Sequence, residues 1–224
     1  TDQRIVLEAN PDYFGGAPHV KRFVLRIIPN QSSELLELLN GGIDAMGAWT
    51  SGTLTPEQYK RQTDTPKFSK SYNKYECDDF VYTYIGWNLK RPMFADKRVR
   101  QALTMALDRK AMVDNILFGL GTLCTGPFAR VSWAYNPDVA PYPFDIEKAK
   151  ALLKQAGWED TDKDGLLDKD YNGDKVREPF HFKLITNQGN VSRERVATIV
   201  QEQLKAIGIQ ADIQIVEWTA FLTN

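Results

Sequence analysis

The fold class is decided by residues 179–216, which have the sequence PFHFKLITNQGNVSRERVATIVQEQLKAIGIQADIQIV. Runs of apolar and β-branched residues at 179–186 and 209–216 predict two strands. Between them, apolar residues recur at helical spacing, which predicts a helix over 191–207 that ends at Gly208. A helical crossover of this length joins parallel strands in a right-handed connection, so the segment predicts an α/β fold.

Three more helices are predicted upstream, each beginning after an aspartate that can cap its first turn: Asp96, Asp108 and Asp145. Their apolar residues lie three and four positions apart, as in helices that pack on a core. Residues 119–144 separate the second of these helices from the third and are rich in Gly, Pro and aromatic residues. A loop of this length without regular structure is usually functional or covers a site.

The first part of the chain predicts a smaller β-turn-β-α-β unit. Its helix begins at Ser32 or Ser33 and ends at Gly41, because serine caps a first turn and glycine ends a last one. Alternating or β-rich runs predict strands over 4–9, 20–29 and 43–46, and two further strands near 67–76 and 79–88. A short helix is expected at 56–61, within an otherwise polar loop.

The composition is that of a soluble globular protein, with 42% hydrophobic and 25% charged residues among 224. The 28 basic and 29 acidic residues leave a net charge of -1. Nucleic-acid binders need a basic excess on at least one face, so nucleic acid is not an expected partner. No run of about 18 apolar residues is present, and no membrane-spanning helix is predicted.

The cysteines and histidines exclude several kinds of chemistry. Cys77 and Cys124 leave two alternatives open, a disulfide suited to an oxidising compartment or two free thiols. His19 and His181 are the only histidines and cannot form a His-rich metal site. His181 alternates with phenylalanines and is expected to face solvent. No nucleophile–base motif and no phosphate-binding loop is present, so an enzyme is not expected.

The segment 160–168 matches the pattern D-x-D-x-D-G-x-x-D. Carboxylates at alternate positions converge on one point in Ca²⁺ loops, and a backbone carbonyl adds a further oxygen. The candidate ligands are Asp160, Asp162, Asp164, the carbonyl of Leu166, and Asp168. Tyr171 stands where an EF-hand has its bidentate glutamate. The alternatives are a weak structural Ca²⁺ site and a solvated acidic hairpin.

Five groups of motifs, in order along nearly the whole chain, carry a resemblance to a known family. They are LEANPDYFGGAP at 7–18; LNGGID at 39–44; WN at 87–88, PMFAD at 92–96, RVRQAL at 98–103 and ALDR at 106–109; DIEKAK at 145–150 with AGW at 156–158; and QEQLKAIGI at 201–209. Together they resemble the large solute-binding proteins of oligopeptide, dipeptide and nickel ABC importers.

The resemblance implies an α/β fold with two-lobed, periplasmic-binding-protein-like architecture, closing on a ligand by hinge motion. Residues 1–78 would be part of the first lobe and 79–224 most of the second, within a longer protein. That protein would be exported to the periplasm or the cell surface, lipid-anchored or soluble. Its partners would be a peptide or other small solute and the ABC permease subunits. It would be a monomer that requires no cofactor.

One candidate ligand contact is the loop 186–190, which follows a predicted parallel strand and precedes a helix. The carboxyl ends of parallel strands are the usual ligand crevice, and a helix N-terminus favours an anion. Asn187 could therefore contact a ligand, and Arg193 or Arg195 could hold a peptide carboxylate. The alternative is helix capping with a surface arginine.

Aromatic residues give further candidate contacts, each with packing as the alternative. Trp87 and Asn88 lie where the resemblance implies the hinge; they could touch a ligand, or form a core tryptophan and a turn. Trp133 lies in the long loop and could cover the cleft, or could pin the loop to its own domain.

Two other classes of function stay open from the residues alone: an enzyme of unknown class on an α/β scaffold, and a Ca²⁺-stabilised adhesion or scaffold module. The cargo is equally open between a dipeptide, an oligopeptide, a nickel complex and a sugar.

Overall fold

The computed structural model describes residues 4–28, 30–47, 54–78 and 80–223. They form two compact units, Thr1–Ser71 and Tyr72–Asn224. The sequence analysis placed a lobe boundary after residue 78, and that boundary stays a prediction. The correspondence of these units to two lobes stays a prediction.

The smaller unit begins with an antiparallel hairpin, as the alternation predicted. Strand β1 (Arg4–Glu8) pairs with β2 (Arg22–Arg26), and Val6 lies opposite Val24. Apolar side chains of the hairpin remain largely exposed, including Ile5, Val6, Leu7 and Val24. The hairpin therefore contributes little to a core within this unit.

Three helical segments follow the hairpin: α1 (Gln31–Leu39), a π-helical turn (Gln58–Gln62) and α2 (Pro66–Ser71). Helix α1 is capped by Asn30, whose side-chain oxygen accepts hydrogen bonds from the amides of Ser32 and Ser33. The predicted serine cap was therefore wrong by two to three residues, since asparagine caps a helix as well as serine does. The expected short helix near 56–61 is confirmed as the π-helical turn.

Two strand predictions in this region were wrong. Residues 43–46 form no strand. Helix α2 occupies the first half of the range where a strand was expected over 67–76. Pro66 stands in its first turn, where the missing N–H needs no partner, and the hydroxyl of Thr65 accepts the Phe68 amide. A hydroxyl residue followed by proline, here Thr65 and Pro66, indicates the start of a helix. The sequence prediction instead followed the strand-like pattern of residues 67–76.

The larger unit contains the predicted β-α-β segment. Strand β5 (His181–Asn187) pairs in parallel with β6 (Gln210–Val216) through helix α6 (Val191–Lys205). A two-residue pairing of β3 (Asp168–Lys169) with β4 (Glu178–Pro179) precedes it. A final helix, α7 (Trp218–Thr223), follows β6.

The three aspartate-capped helices are confirmed as α3 (Lys97–Met105), α4 (Arg109–Ile116) and α5 (Ile146–Gln155). Each capping carboxylate accepts a hydrogen bond from an amide in the first turn of its helix. Gly157 follows α5 with a φ of 87°, a conformation that favours glycine, so it ends the helix as predicted.

One core fills the larger unit, where α3 packs on α5 and α6 lies across β5 and β6. Its most deeply buried side chains are Val99, Leu103, Leu153, Trp158, Phe180, Val200, Leu204 and Ile209. The ring of Trp158 stacks on that of Phe180, with centroids 4.2 Å apart. His181 is exposed on the opposite face of β5 from Phe182, as predicted.

Two long segments of this unit carry no regular strand or helix. Residues 80–88 have no strand partner in the described part of the chain, so the strand predicted near 79–88 is not formed there. Residues 119–144 form the expected long loop. Cys77 and Cys124 are both free thiols. No described helix is both long enough and apolar enough to cross a bilayer.

Candidate ligand-binding site

The candidate site lies at the carboxyl ends of the two parallel strands. Asn187 is the last residue of β5 and lies opposite Val216, the last residue of β6. The amide of Gln188 donates to the carbonyl of Val216 at 2.7 Å, which ties the β5–α6 loop to the end of β6. Gly189, with a φ of 84°, then allows the chain to turn directly into α6.

Arg193 is held in this loop by Asn187. The guanidinium Nη1 of Arg193 donates to the side-chain oxygen of Asn187 at 2.8 Å. The amide nitrogen of Asn187 donates to the carbonyl of Gln188 at 3.1 Å, and Asn187 is only 9% exposed. The structure therefore brings together two of the predicted contacts, and the second bond orients the amide so that its oxygen meets Arg193.

Trp218 completes the cluster, although the sequence interpretation did not single it out. The guanidinium carbon of Arg193 lies 6.0 Å from the centre of the Trp218 ring, at the limit of a cation–π contact. Trp218 stacks in turn on Phe221, with centroids 5.7 Å apart. Its position two residues after the end of β6 was the available signal, because parallel strands end at the same edge of a sheet.

The electrostatics of this cluster are unbalanced. Arg193 is partly buried, and it forms no ion pair with any residue in the described ranges of the chain. It lies in the first turn of α6, where the partial positive charge of the helix disfavours a cation. Arg195 is exposed instead. The arrangement suits an anion better than a neutral ligand.

Trp87 and Asn88 have local structural roles. The ring of Trp87 packs 5.3 Å from that of Phe94 and meets Phe182 edge-on at 5.8 Å. The side-chain oxygen of Asn88 accepts the amide of Lys90 at 3.0 Å, as in a turn. Both contacts favour the packing alternative over a ligand contact.

Trp133 is 97% exposed, so it does not pin the 119–144 loop to its own unit. Tyr142, near the other end of this loop, does hold the loop to its own unit. Its hydroxyl accepts a hydrogen bond from Gln101, and its carbonyl accepts one from Arg109. The role of Trp133 as a cover over a ligand stays a prediction.

The acidic hairpin, residues 159–178, brings three of its four predicted carboxylates together. One oxygen each of Asp160, Asp162 and Asp168 lies within 4.8 Å of the other two. The carboxylate of Asp164 instead accepts the Leu166 amide at 2.8 Å and does not join this group.

Asp168 is the buried member of the group and is already neutralised. It forms an ion pair with Arg177 and accepts hydrogen bonds from the amide and hydroxyl of Thr161. Burial raises the pKa of Asp168, but the hydrogen bonds from Arg177 and Thr161 outweigh it and hold the pKa below its ordinary value. A cation binding here would have to compete with Arg177.

The hairpin also contains an internal repeat that the sequence interpretation missed. Oxygen-bearing side chains alternate at 160, 162, 164 and 168, and again ten residues later at 170, 172, 174 and 178. Both copies form the same bonds: the first carboxylate accepts the amide five residues on, and the third accepts the amide two residues on. The second copy, with Asn172 in place of an aspartate, escaped notice because it departs from the aspartate pattern.

Comparison with known proteins identifies the family of the chain. Residues 1–224 match the family model described as bacterial extracellular solute-binding proteins, family 5 (middle). The chain belongs to this family. The oligopeptide-binding protein AppA of Bacillus subtilis is 41% identical over 222 residues, which are 98% of this chain and 38% of that protein. The dipeptide-binding protein of Escherichia coli is 29% identical over 221 residues, 99% of this chain and 37% of that protein.

Solved structures agree with the family assignment. The structure of Bacillus subtilis AppA in complex with a nonapeptide has a TM-score of 0.73 at 40% identity and covers 99% of this chain. The oligopeptide-binding protein of Thermus thermophilus, complexed with a pentapeptide, has a TM-score of 0.70 at 31% identity and covers 96%. This family 5 chain spans 41% and 37% of those two chains. NikA of Brucella suis has a TM-score of 0.78 at 24% identity. The match covers 97% of this chain and 42% of the NikA chain. At this identity it shows only that the two chains share a fold.

Proposed function

We propose that this chain is part of the substrate-binding component of an ABC importer, which binds peptides and delivers them to a membrane permease. The observation that carries the proposal is the 41% identity to an oligopeptide-binding protein across 98% of the chain. Because the chain spans 38% of that relative, the cargo site would belong to a longer protein, here called the parent protein.

The candidate site has the chemistry that such a receptor needs. A peptide importer must accept many side chains, so its affinity has to come from the peptide backbone and the charged termini. Arg193 offers a cation that can meet a carboxylate, and Asn187 holds that cation at the carboxyl ends of the two parallel strands. Trp218 adds an aromatic wall beside the cation.

The parent protein would act as a carrier that leaves its cargo chemically unchanged. Family 5 proteins are extracytoplasmic, and we place the parent protein in the periplasm or at the cell surface, lipid-anchored or soluble. Ligand binding would close its two lobes by a hinge motion, and the closed form would be the one that the permease subunits recognise. The carrier would work as a monomer.

Mass spectrometry of ligands that co-purify with the parent protein tests this proposal. The parent protein is purified without denaturant, its ligands are released by acid, and the extract is compared with that from an unrelated exported protein. We expect peptides enriched over that control. The recovery of another small molecule and no peptides would contradict the proposal. Bound haem is one such outcome, because the heme-binding protein A of Haemophilus influenzae is 28% identical to this chain over 221 residues.

A further inference from the structure

The sequence contains two Asn-Gly pairs, Asn40-Gly41 and Asn172-Gly173. Asparagine is a chemically labile residue, and it is most labile before glycine, because glycine has no Cβ to hinder its own backbone nitrogen. That nitrogen can attack the side-chain carbonyl carbon Cγ of the asparagine. Both asparagines are exposed to the water that the reaction consumes, so exposure does not distinguish the two pairs.

The reaction is an intramolecular acyl transfer followed by hydrolysis. A bond forms between the glycine nitrogen and Cγ, the bond between Cγ and Nδ2 breaks, and the glycine amide proton leaves with Nδ2 as ammonia. Water then opens the resulting succinimide. Cleavage of the new bond to Cγ gives aspartate, and cleavage of the bond to the former backbone carbonyl gives isoaspartate. Water is therefore the only co-reactant.

The side chain of Asn172 is held by three hydrogen bonds within the acidic hairpin. Its Nδ2 donates to the carboxylates of Asp174, at 3.1 Å, and of Glu178, at 3.4 Å. Its Oδ1 accepts the amide of Asp174 at 3.3 Å. These bonds fix the side chain, so Cγ lacks the freedom that it needs to approach the nitrogen of Gly173.

The attacking nitrogen of this second pair is occupied as well. The Gly173 amide donates to Oδ1 of Asp170 at 2.7 Å. The nitrogen attacks only after it has lost this proton, and the charges of Asp170, Asp174 and Glu178 disfavour a further anion beside them. The hairpin therefore opposes deamidation of Asn172 both by geometry and by charge.

Asn40 lacks these restraints. It caps the C-terminal end of α1, and its side chain forms no hydrogen bond with any residue in the described ranges of the chain. The Gly41 amide donates to a neutral acceptor, the carbonyl of Leu38, at 3.1 Å. The carboxylate in this turn belongs to Glu37 and is paired with Arg26 at 2.8 Å. Neither the side chain nor the attacking nitrogen is held by a charged group.

We propose that Asn40 is a site of spontaneous deamidation in the folded protein, and that the second copy of the hairpin repeat protects Asn172 from the same reaction. The inference concerns the chemistry of this chain alone and goes beyond the proposed function, since it holds whatever the cargo is.

Modification of Asn40 would loosen the end of α1. Isoaspartate inserts a carbon into the backbone of the turn in which Gly41 and Gly42 donate to the carbonyls of Leu38 and Glu37. The two amides would then lose register with their acceptors. Either product also places a negative charge at the C-terminal end of the helix, where the dipole disfavours it.

The test incubates the parent protein at mildly alkaline pH and follows both sites by peptide mapping with mass spectrometry. Each product differs from its asparagine by the mass difference between an amide and an acid, and chromatography separates isoaspartate from aspartate. The wild type is incubated folded and in denaturant. Two variants, D170A and D160A, remove the first carboxylate of the second and of the first copy of the repeat, respectively.

We expect Asn40 to deamidate severalfold faster than Asn172 in the folded wild type. In denaturant the two rates should be nearly equal, because the reacting dipeptide is the same and no structure restrains it. D170A should raise the rate at Asn172 toward that of the denatured chain. D160A removes the same charge from the same hairpin and should leave that rate unchanged.

Equal rates at the two asparagines in the folded wild type, or no product at Asn40, would overturn the inference. An equally large difference in denaturant would overturn it too, since neighbouring sequence and not structure would then set the rates. If D170A and D160A have the same effect on Asn172, its protection does not come from the second copy of the repeat.

Discussion

Arg177 forms an ion pair with Asp168 and thereby closes the acidic hairpin on itself. The guanidinium also donates to the carbonyl of Asp168 at 2.7 Å, so one side chain holds both the carboxylate and the backbone of the same residue. Thr161 supplies the remaining hydrogen bonds. The most acidic segment of the chain is therefore fixed by internal partners.

The first prediction concerns acid stability. Because the pKa of Asp168 lies below its ordinary value of 3.8 in the folded state, the unfolded chain takes up this proton first as the pH falls. The ion pair therefore stabilises the fold at neutral pH, and its contribution is lost progressively below about pH 5. Asp168→Asn should lower the melting temperature at pH 7 and flatten its fall in acid. If the melting temperature of the variant falls with decreasing pH as steeply as that of the wild type, other carboxylates dominate the acid dependence of stability.

The second prediction concerns calcium, the ion suited to the oxygens of Asp160, Asp162 and Asp168. Since Arg177 already neutralises Asp168, millimolar Ca²⁺ should raise the melting temperature of Arg177→Gln more than that of the wild type. Lys175→Gln, a charge-matched change in the same hairpin, should respond as the wild type does. An equal response of the wild type and R177Q to Ca²⁺ would argue against competition between calcium and Arg177.

The third prediction compares two tryptophans that differ in burial. Trp158 is 2% exposed and stacks on Phe180, whereas Trp133 is 97% exposed. Trp158→Ala should lower the free energy of unfolding by about 3–5 kcal/mol, because it leaves a cavity in the core. Trp133→Ala should change it by less than about 0.5 kcal/mol. Denaturant unfolding measures both, and a large loss for Trp133→Ala would mean that its loop packs in solution.

The fourth prediction concerns the exposed pair His181 and Asp212, whose side chains meet at 2.6 Å across β5 and β6. Hydrogen bonds from Gln210 and then from His181 lower the pKa of Asp212. His181→Ala should therefore move the pKa of Asp212 back toward its ordinary value, and Gln210→Ala should do the same. NMR titration of the carboxyl carbon measures this shift. An unmoved pKa in both variants would contradict the described contacts.

The parts of the fold that the sequence predicted are those encoded by local pattern. Helices α3, α4 and α5 follow from aspartate caps and apolar spacing, and the β5–α6–β6 segment follows from two β-rich runs around a helical one. These signals lie within a few residues of each other, so no tertiary information is needed to find them.

Features that depend on partners distant in the chain could not be predicted in this way. The aromatic segment 80–88 has strand-like composition, but a strand also requires a neighbour to pair with, which composition does not reveal. Asn187 and Arg193 were identified separately, while their hydrogen bond and the nearness of Trp218 depend on how the ends of β5 and β6 meet. The helical start at Pro66 was missed because alternation was weighed above capping chemistry.

The most direct test of the central claim is isothermal titration of nonapeptides into the parent protein, with the isolated 224-residue chain in parallel. We predict saturable one-to-one binding to the parent protein. We also predict affinity roughly tenfold or more weaker, or no binding, for the isolated chain, because the proposed cargo site would draw contacts from the rest of the parent protein as well. Absence of peptide binding by the parent protein would contradict the proposed function. Equal affinity of the parent protein and the isolated chain would contradict the proposal that the cargo site extends beyond this chain.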